Sequence, residues 1–327
     1  EQDVAYGIGN NKEITSVQFG IFADEDVKAA DGTSIPKDSL VTFANCDENG
    51  KLTFDCDLPI GYKWYAKEIA TDEHYILSNK HYQFNTDYAG QNTKVIEIDV
   101  NGNEKIENTL KRGKVEGVKI NKDNDKLEGA TIGIFKVDTT EFTEKTAIVT
   151  TKTDKDGAFS FNNIPYGEWV VKEIAAPTGY AVDATQHHIY ISDDGVVINV
   201  TMVDKQVQIS KTDITGEKEV VGAELIITDE SGNVVDSWTS SDTAHYANGL
   251  VEGHKYTLTE KTAPYGYEIA NSIVFVVTSD KAVQTVVMND SPILSSVLVN
   301  KVDSVTGENI ISRKFEFTLY SDPECKN

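Results

Sequence analysis

The chain has 327 residues, 39% of them hydrophobic, with a formal net charge of -23 and a pI near 4.6. That length suits about two to four domains with packed cores, and the hydrophobic content argues against wholesale disorder. The acidity disfavours nucleic acid and anionic membrane as partners, and no apolar run is long enough to cross a bilayer.

In chain order, the first informative feature is a cysteine pair. Cys46 and Cys56 flank the turn-like Asp47-Glu48-Asn49-Gly50, so they either close a hairpin disulfide in an exported chain or stay free thiols. Cys325 lies near the chain end, which stops within a strand-like pattern. The expectation is a piece of a longer chain whose targeting signals lie outside it.

A repeat then dominates. Three segments open alike: Val118-Lys-Ile-Asn-Lys-Asp123, Val207-Gln-Ile-Ser-Lys-Thr-Asp213 and Val297-Leu-Val-Asn-Lys-Val-Asp303. On that alignment Lys122, Lys211 and Lys301 correspond, 89 and 90 residues apart. Each opening leads to a second strand, at 129–135, 222–227 and 315–320. A central block follows: Gly61-Tyr-Lys-Trp-Tyr-Ala-Lys-Glu-Ile69, then Gly167-Glu-Trp-Val-Val-Lys-Glu-Ile-Ala-Ala-Pro-Thr-Gly-Tyr180, then Gly253-His-Lys-Tyr-Thr-Leu-Thr-Glu-Lys-Thr-Ala-Pro-Tyr-Gly-Tyr267. The closing strands read Ile106-Glu-Asn108, Met202-Val-Asp204 and Met288-Asn-Asp290. Asn101-Gly102, Asp156-Gly157, Asp194-Gly195 and Ser231-Gly232 punctuate hairpins.

These blocks predict an all-β chain of tandem Ig-like β-sandwich domains with no amphipathic helix. The domains run 1–112, 113–205 and 206–292, and 293–327 begins a further, truncated one. The near absence of linkers favours a rod. The first domain diverges and lacks its first strand. Lys12 lies too close to Val17 to open it, so its donor lysine is expected upstream of Glu1 or its cross-link is absent.

Strand side chains alternate with a period of two. In the third domain this puts Lys211 on the face of Ile209, Glu260 on that of Tyr256 and Leu258, and Asp290 on that of Met288. The same rule turns Lys122, Glu173 and Asp204 inward in the second. Buried unpaired charge costs several kcal/mol, and a buried ion pair often only breaks even. Two readings remain: a structural salt bridge, or an amide between the lysine and the acceptor. Burial favours neutral amines and neutral carboxylic acids, and a fixed Glu can polarise a carbonyl and shuttle protons. In the third domain Asn289 replaces Asp290 as acceptor if the register slips by one.

The Lys-x-Asp opening, the Glu-x-x-Ala-Pro-x-Gly-Tyr block and the closing apolar-x-Asn/Asp resemble the Cna protein B-type, or SpaA-like, prealbumin-like domains of Gram-positive surface proteins and pilins. The resemblance covers almost the whole chain and is weakest in the first domain. It implies isopeptide bonds Lys122–Asp204 with Glu173, and Lys211–Asp290 with Glu260. It implies a role for Glu68 and Asn108 in the first domain and for Lys301 in the truncated one. It also implies an extracellular, cell-wall-associated stalk, with a ligand-binding adhesin module or a subunit of a sortase-assembled pilus as the alternatives.

Turnover chemistry finds no support in the motifs. His187 and His188 would face opposite sides of a strand, and no zinc, phosphate-loop or nucleophile-elbow pattern is present. No metal site and no cofactor are expected. The expected partners are adjacent domains of the same polypeptide. A host matrix protein or glycan would best be met between Ile76 and Asn101 of the first domain.

Overall fold

A computed structural model describes all residues except 103, 281, 312–313, 321–323 and 325–327. Among the described residues the only helix is a four-residue 3-10 turn at Glu13–Ser16. The rest is strand and turn, as period-two patterning requires.

The first domain holds β1 (Gln18–Ala23), the short pair β2 (Val27–Lys28) and β3 (Ser34–Ile35), β4 (Leu40–Asn45), β5 (Lys63–Ala70) and β6 (His81–Asn85). The second holds β7 (Arg112–Asn121), β8 (Thr131–Lys136), β9 (Val149–Lys152), β10 (Ala158–Pro165), β11 (Gly167–Ala175), β12 (His187–Ile191) and β13 (Val197–Asp204). The third holds β14 (Gln206–Asp213), β15 (Glu224–Thr228), β16 (Val234–Thr239), β17 (His245–Tyr246), β18 (Lys255–Thr262), β19 (Ile273–Val276) and β20 (Val283–Asp290).

Domains two and three are sandwiches of the same plan. A four-stranded sheet, β12-β11-β8-β9 or β16-β15-β18-β19, faces a three-stranded one, β10-β7-β13 or β17-β14-β20. The first and last strands of each domain are neighbours and run parallel. Their registers match: Lys119 sits opposite Met202 and Asn121 opposite Asp204, while Lys211 sits opposite Met288 and Asp213 opposite Asp290. The core of domain two gathers Val115, Ile132, Ile134, Phe159, Phe161, Trp169, Val171 and Met202. That of domain three gathers Val207, Ile209, Leu225, Ile227, Tyr256, Leu258 and Met288. Domain one has the four-stranded sheet β4-β1-β5-β6 and the two-stranded β2-β3, but no three-stranded sheet like those of the other two domains among the described residues.

The junctions are packed. Asp204 ends β13 and Gln206 begins β14. Lys205 pairs with Glu252, Gly179 N donates to Asn248 Oδ1 at 2.7 Å, and Ala181 inserts into the core of domain three. At the other junction Arg112 pairs with Glu1 at 2.9 Å and Asp3 at 2.8 Å, while Ile8 and Tyr75 join the core of domain two.

One open alternative is resolved here and one expectation is corrected. Cys46 and Cys56 are free thiols. They pack against different apolar clusters, Cys46 with Phe19 and Tyr82, Cys56 with Trp64 and Val27, so the turn does not bring them together. Residues 315–320 form no strand, and no described residue pairs with them as one.

Candidate functional site

The parallel pairing of first and last strands builds the site. On β7 the inward positions are Gly113, Val115, Gly117 and Lys119, so the strand delivers Lys119, not Lys122, to the core. Lys119 is fully buried, whereas Lys122 lies beyond the end of β7 in an exposed turn. The slip arises at Gly117. A Cβ there would lie 2.0 Å from the Phe159 ring, so the aromatic fills the space that Ile209 occupies in domain three. With no apolar side chain at 117, the run Val118-Lys-Ile120 imitates Val207-Gln-Ile209 and shifts the alignment by three. Hydrogen bonding gives the true correspondence. Leu127 N donates to Lys119 O at 3.0 Å, Val220 N to Lys211 O at 2.7 Å, and Ile310 N to Lys301 O at 2.9 Å.

In domain two Lys119 Nζ lies 2.9 Å from Glu173 Oε2 and contacts Asp204 Oδ1, all three side chains being buried. In domain three Lys211 Nζ lies 3.2 Å from Glu260 Oε1 and contacts Asp290 Oδ1. Asn289 faces solvent, its Oδ1 accepting from Thr212 Oγ1 at 2.8 Å, so the inward residue is Asp290. Each Glu is fixed from behind by a backbone amide ten positions on. Asp183 N donates to Glu173 Oε2 at 2.7 Å and Ala270 N to Glu260 Oε2 at 2.6 Å.

Two carboxyls and one lysine cannot all be ionised cheaply in such a place. Burial, then the charge of Glu173, pushes the Asp204 carboxyl up to about 8, with Lys119 opposing. Asp204 Oδ2 and Asp290 Oδ2 accept no hydrogen bond. The cluster therefore presents an amine, a carboxyl biased toward its neutral form, and a second carboxyl able to carry protons between them.

Domain one contains part of the same arrangement. Glu68 is buried and accepts from Ser78 N at 2.7 Å, again ten positions on, while Asn108 Nδ2 donates to Glu68 Oε1 at 2.5 Å and Thr71 Oγ1 at 2.7 Å. No lysine joins them among the described residues. Lys12 is exposed and pairs with Glu48 at 2.6 Å. Lys301 is exposed, its Nζ lying 5.8 Å from the Phe315 ring centroid. Among the described residues no cluster of metal-ligating side chains occurs and no helix is long and apolar enough to cross a membrane.

Residues 6–107, 113–206 and 205–292 match the SpaA prealbumin-like fold domain model, and the chain belongs to that family. Among solved structures it is similar to the Bacillus anthracis TIE protein, with 21% identity over 86% of this chain and 49% of that one and a TM-score of 0.42. It thus spans about half the length of that relative. It is also similar to a streptococcal ancillary pilin, with 21% identity, 71% and 76% coverage and a TM-score of 0.31. For the shaft pilin SpaA of Lactobacillus rhamnosus GG the identity is 14%, the coverage 57% and 100%, and the TM-score 0.30. No curated protein matches the chain.

Proposed function

We propose that the chain is a structural segment of a Gram-positive cell-surface pilin or adhesin, held extracellularly at the cell wall. In this reading domains two and three lock themselves with amide bonds Lys119–Asp204 and Lys211–Asp290. The observation that carries it is the twice-built cluster of a buried lysine and aspartate at matched positions of the parallel first and last strands, met by a buried glutamate from β11 or β18. Family membership supports it.

The chemistry balances. The neutral lysine amine attacks the neutral aspartic carboxyl carbon, a C–N bond forms, a C–O bond breaks and water leaves. Glu173 or Glu260 takes the proton from the attacking nitrogen and returns it to the departing oxygen. The fold supplies the effective concentration. Each bond forms once, so this is maturation and not turnover.

Intact mass tests it. Two amides make the folded chain about 36 mass units lighter than its translated sequence, one water per bond, with peptides mapping to Lys119–Asp204 and Lys211–Asp290. The unmodified mass in folded protein overturns the covalent reading.

A further inference from the structure

The backbone amide that fixes Glu173 lies on a loop that also grips domain three. After β11 the chain runs through Ala176-Pro-Thr-Gly-Tyr180 to Asp183, whose N donates to Glu173 Oε2 at 2.7 Å. The residues just before Asp183 are anchored on the next domain. Gly179 N donates to Asn248 Oδ1 at 2.7 Å, and Ala181 inserts into the core of domain three. Val182 bridges in parallel to Val251. Its N donates to Leu250 O at 2.8 Å and its O accepts from Glu252 N at 3.0 Å. Val182 and Asp183 are both buried.

The acceptor side is tied to the same strip. Lys205 directly follows Asp204, its O accepts from Ala181 N at 2.8 Å, and its ammonium pairs with Glu252. The first junction repeats the plan. Ser78 N donates to Glu68 Oε2 at 2.7 Å, and shortly before it Tyr75 lies in the core of domain two. There Ile76 N donates to Thr109 O and Lys111 N to His74 O, each at 2.8 Å.

A proton-carrying group must stay within hydrogen-bond reach of both partners, and a displacement of about 1 Å can cost on the order of a hundredfold in rate. Glu173 Oε1 accepts no hydrogen bond, so the carboxyl is oriented from the Asp183 side.

We propose that the strip Asn248–Glu252 of domain three is a positioning element for the cross-link of domain two. Docked, it pins residues 179–183, and the Asp183 amide keeps Glu173 set against Lys119 and Asp204. Undocked, the loop loses its bridge and its apolar anchor, and a segment with few buried contacts opens at little cost. Domain two therefore closes its amide fastest once domain three has folded against it. The bonds made and broken are those written above, and the inference rests on that amide chemistry.

The test is a time course on the freshly translated 327-residue chain, quenched in acid and read by intact mass and peptide mapping, so that each link is followed separately. Asn248→Ala/Glu252→Ala removes two side chains that grip domain two and touches neither cluster. The Lys211–Asp290 link should form at the parental rate, which reports that domain three folds. The Lys119–Asp204 link should slow by about tenfold to a hundredfold. Asn248→Asp/Glu252→Gln keeps an acceptor oxygen at both places and should restore the rate. Ile164→Val loosens the core of domain two at the other end of β7, where Ile164 pairs with Gly113, and should leave the ratio of the two rates unchanged. An unchanged ratio in the alanine pair overturns the proposal. So does an equal slowing by Ile164→Val, or failure of the conservative pair to restore the rate. Each of these outcomes leaves the amide chemistry standing, whereas absence of both links from the parent chain sinks that chemistry and this inference with it.

Discussion

Replacing Glu260 with Gln isolates the glutamate's part in the chemistry. Gln keeps the size of Glu and an oxygen for the Ala270 amide, which donates to Glu260 at 2.6 Å. It cannot take a proton from an attacking amine and hand it on. Lys211 and Asp290 remain paired, so the variant leaves no orphaned buried charge. One of the two water losses should vanish from the intact mass. The stability change follows from chain entropy. Lys211 and Asp290 are 79 positions apart, and closing a loop of that size removes about 4.5 kcal/mol of unfolded-state freedom. For a domain of this length that is a fall in melting temperature on the order of 20 °C. Mass spectrometry and calorimetry on the same sample decide it. If Glu260→Gln retains both water losses and melts with the parent, the assignment of Glu260 is wrong.

In domain two, Lys119→Met should restore one water to the mass, while Lys122→Ala should change neither mass nor melting temperature by more than surface substitutions do. Lys119→Met also has a pH signature. The Asp204 carboxyl, pushed up to about 8 by burial and Glu173, loses the opposing lysine. A raised carboxyl pKa stabilises the fold below the unfolded value near 3.9 and loses that stability as pH rises through the folded value. Melting temperature in this variant should therefore drop between pH 5 and 8, and a flat profile would contradict the burial argument. Gly117→Ile drives a side chain into the Phe159 ring, 2.0 Å from where its Cβ would lie, and should cost roughly 1–3 kcal/mol by overpacking. Adding Phe159→Ala should recover part of that in a denaturant titration. Alkylation of the native chain should label Cys46 and Cys56 without prior reduction and accelerate at alkaline pH, because burial and then the neighbouring Asp47 or Asp57 raise both thiols.

Fold class was readable because strand alternation and turn residues recur at matched intervals. Period-two reasoning placed Glu173, Glu260, Lys211 and Asp290 inward, and the structure brings the last three together. It failed for the inward lysine of domain two, which is Lys119 and not Lys122, for a local reason. Gly117 leaves an inward position blank and Phe159 crosses from the neighbouring strand to fill it, a tertiary compensation that a strand-by-strand pattern does not display. The pattern Lys119-x-Asn121, matching Lys211-x-Asp213 and Lys301-x-Asp303, was the available signal. The backbone donors behind each glutamate, from Ser78, Asp183 and Ala270, were invisible because they depend on how the chain folds back after the central block.

The placement of the two clusters decides what a pull on the chain would meet. β7 enters domain two and β13 leaves it, side by side and parallel, so tension between the ends shears this pair. With the amide formed, force passes along β7 from Arg112 to Lys119 and crosses directly to Asp204. Residues 120–203 then carry no load. The next segment is short: Gln206 opens β14, Lys211 sits on it, and its amide passes force to Asp290. The covalent path through both domains is thus two strand segments joined by two side-chain bonds, while both four-stranded sheets lie outside it. Single-molecule pulling between residues 112 and 290 should show no unfolding step for either domain at forces that unfold ordinary β-sandwiches. The doubly unlinked variant Lys119→Met/Glu260→Gln should show two. Full-length unfolding steps in the parent chain would break the argument at its mechanical link.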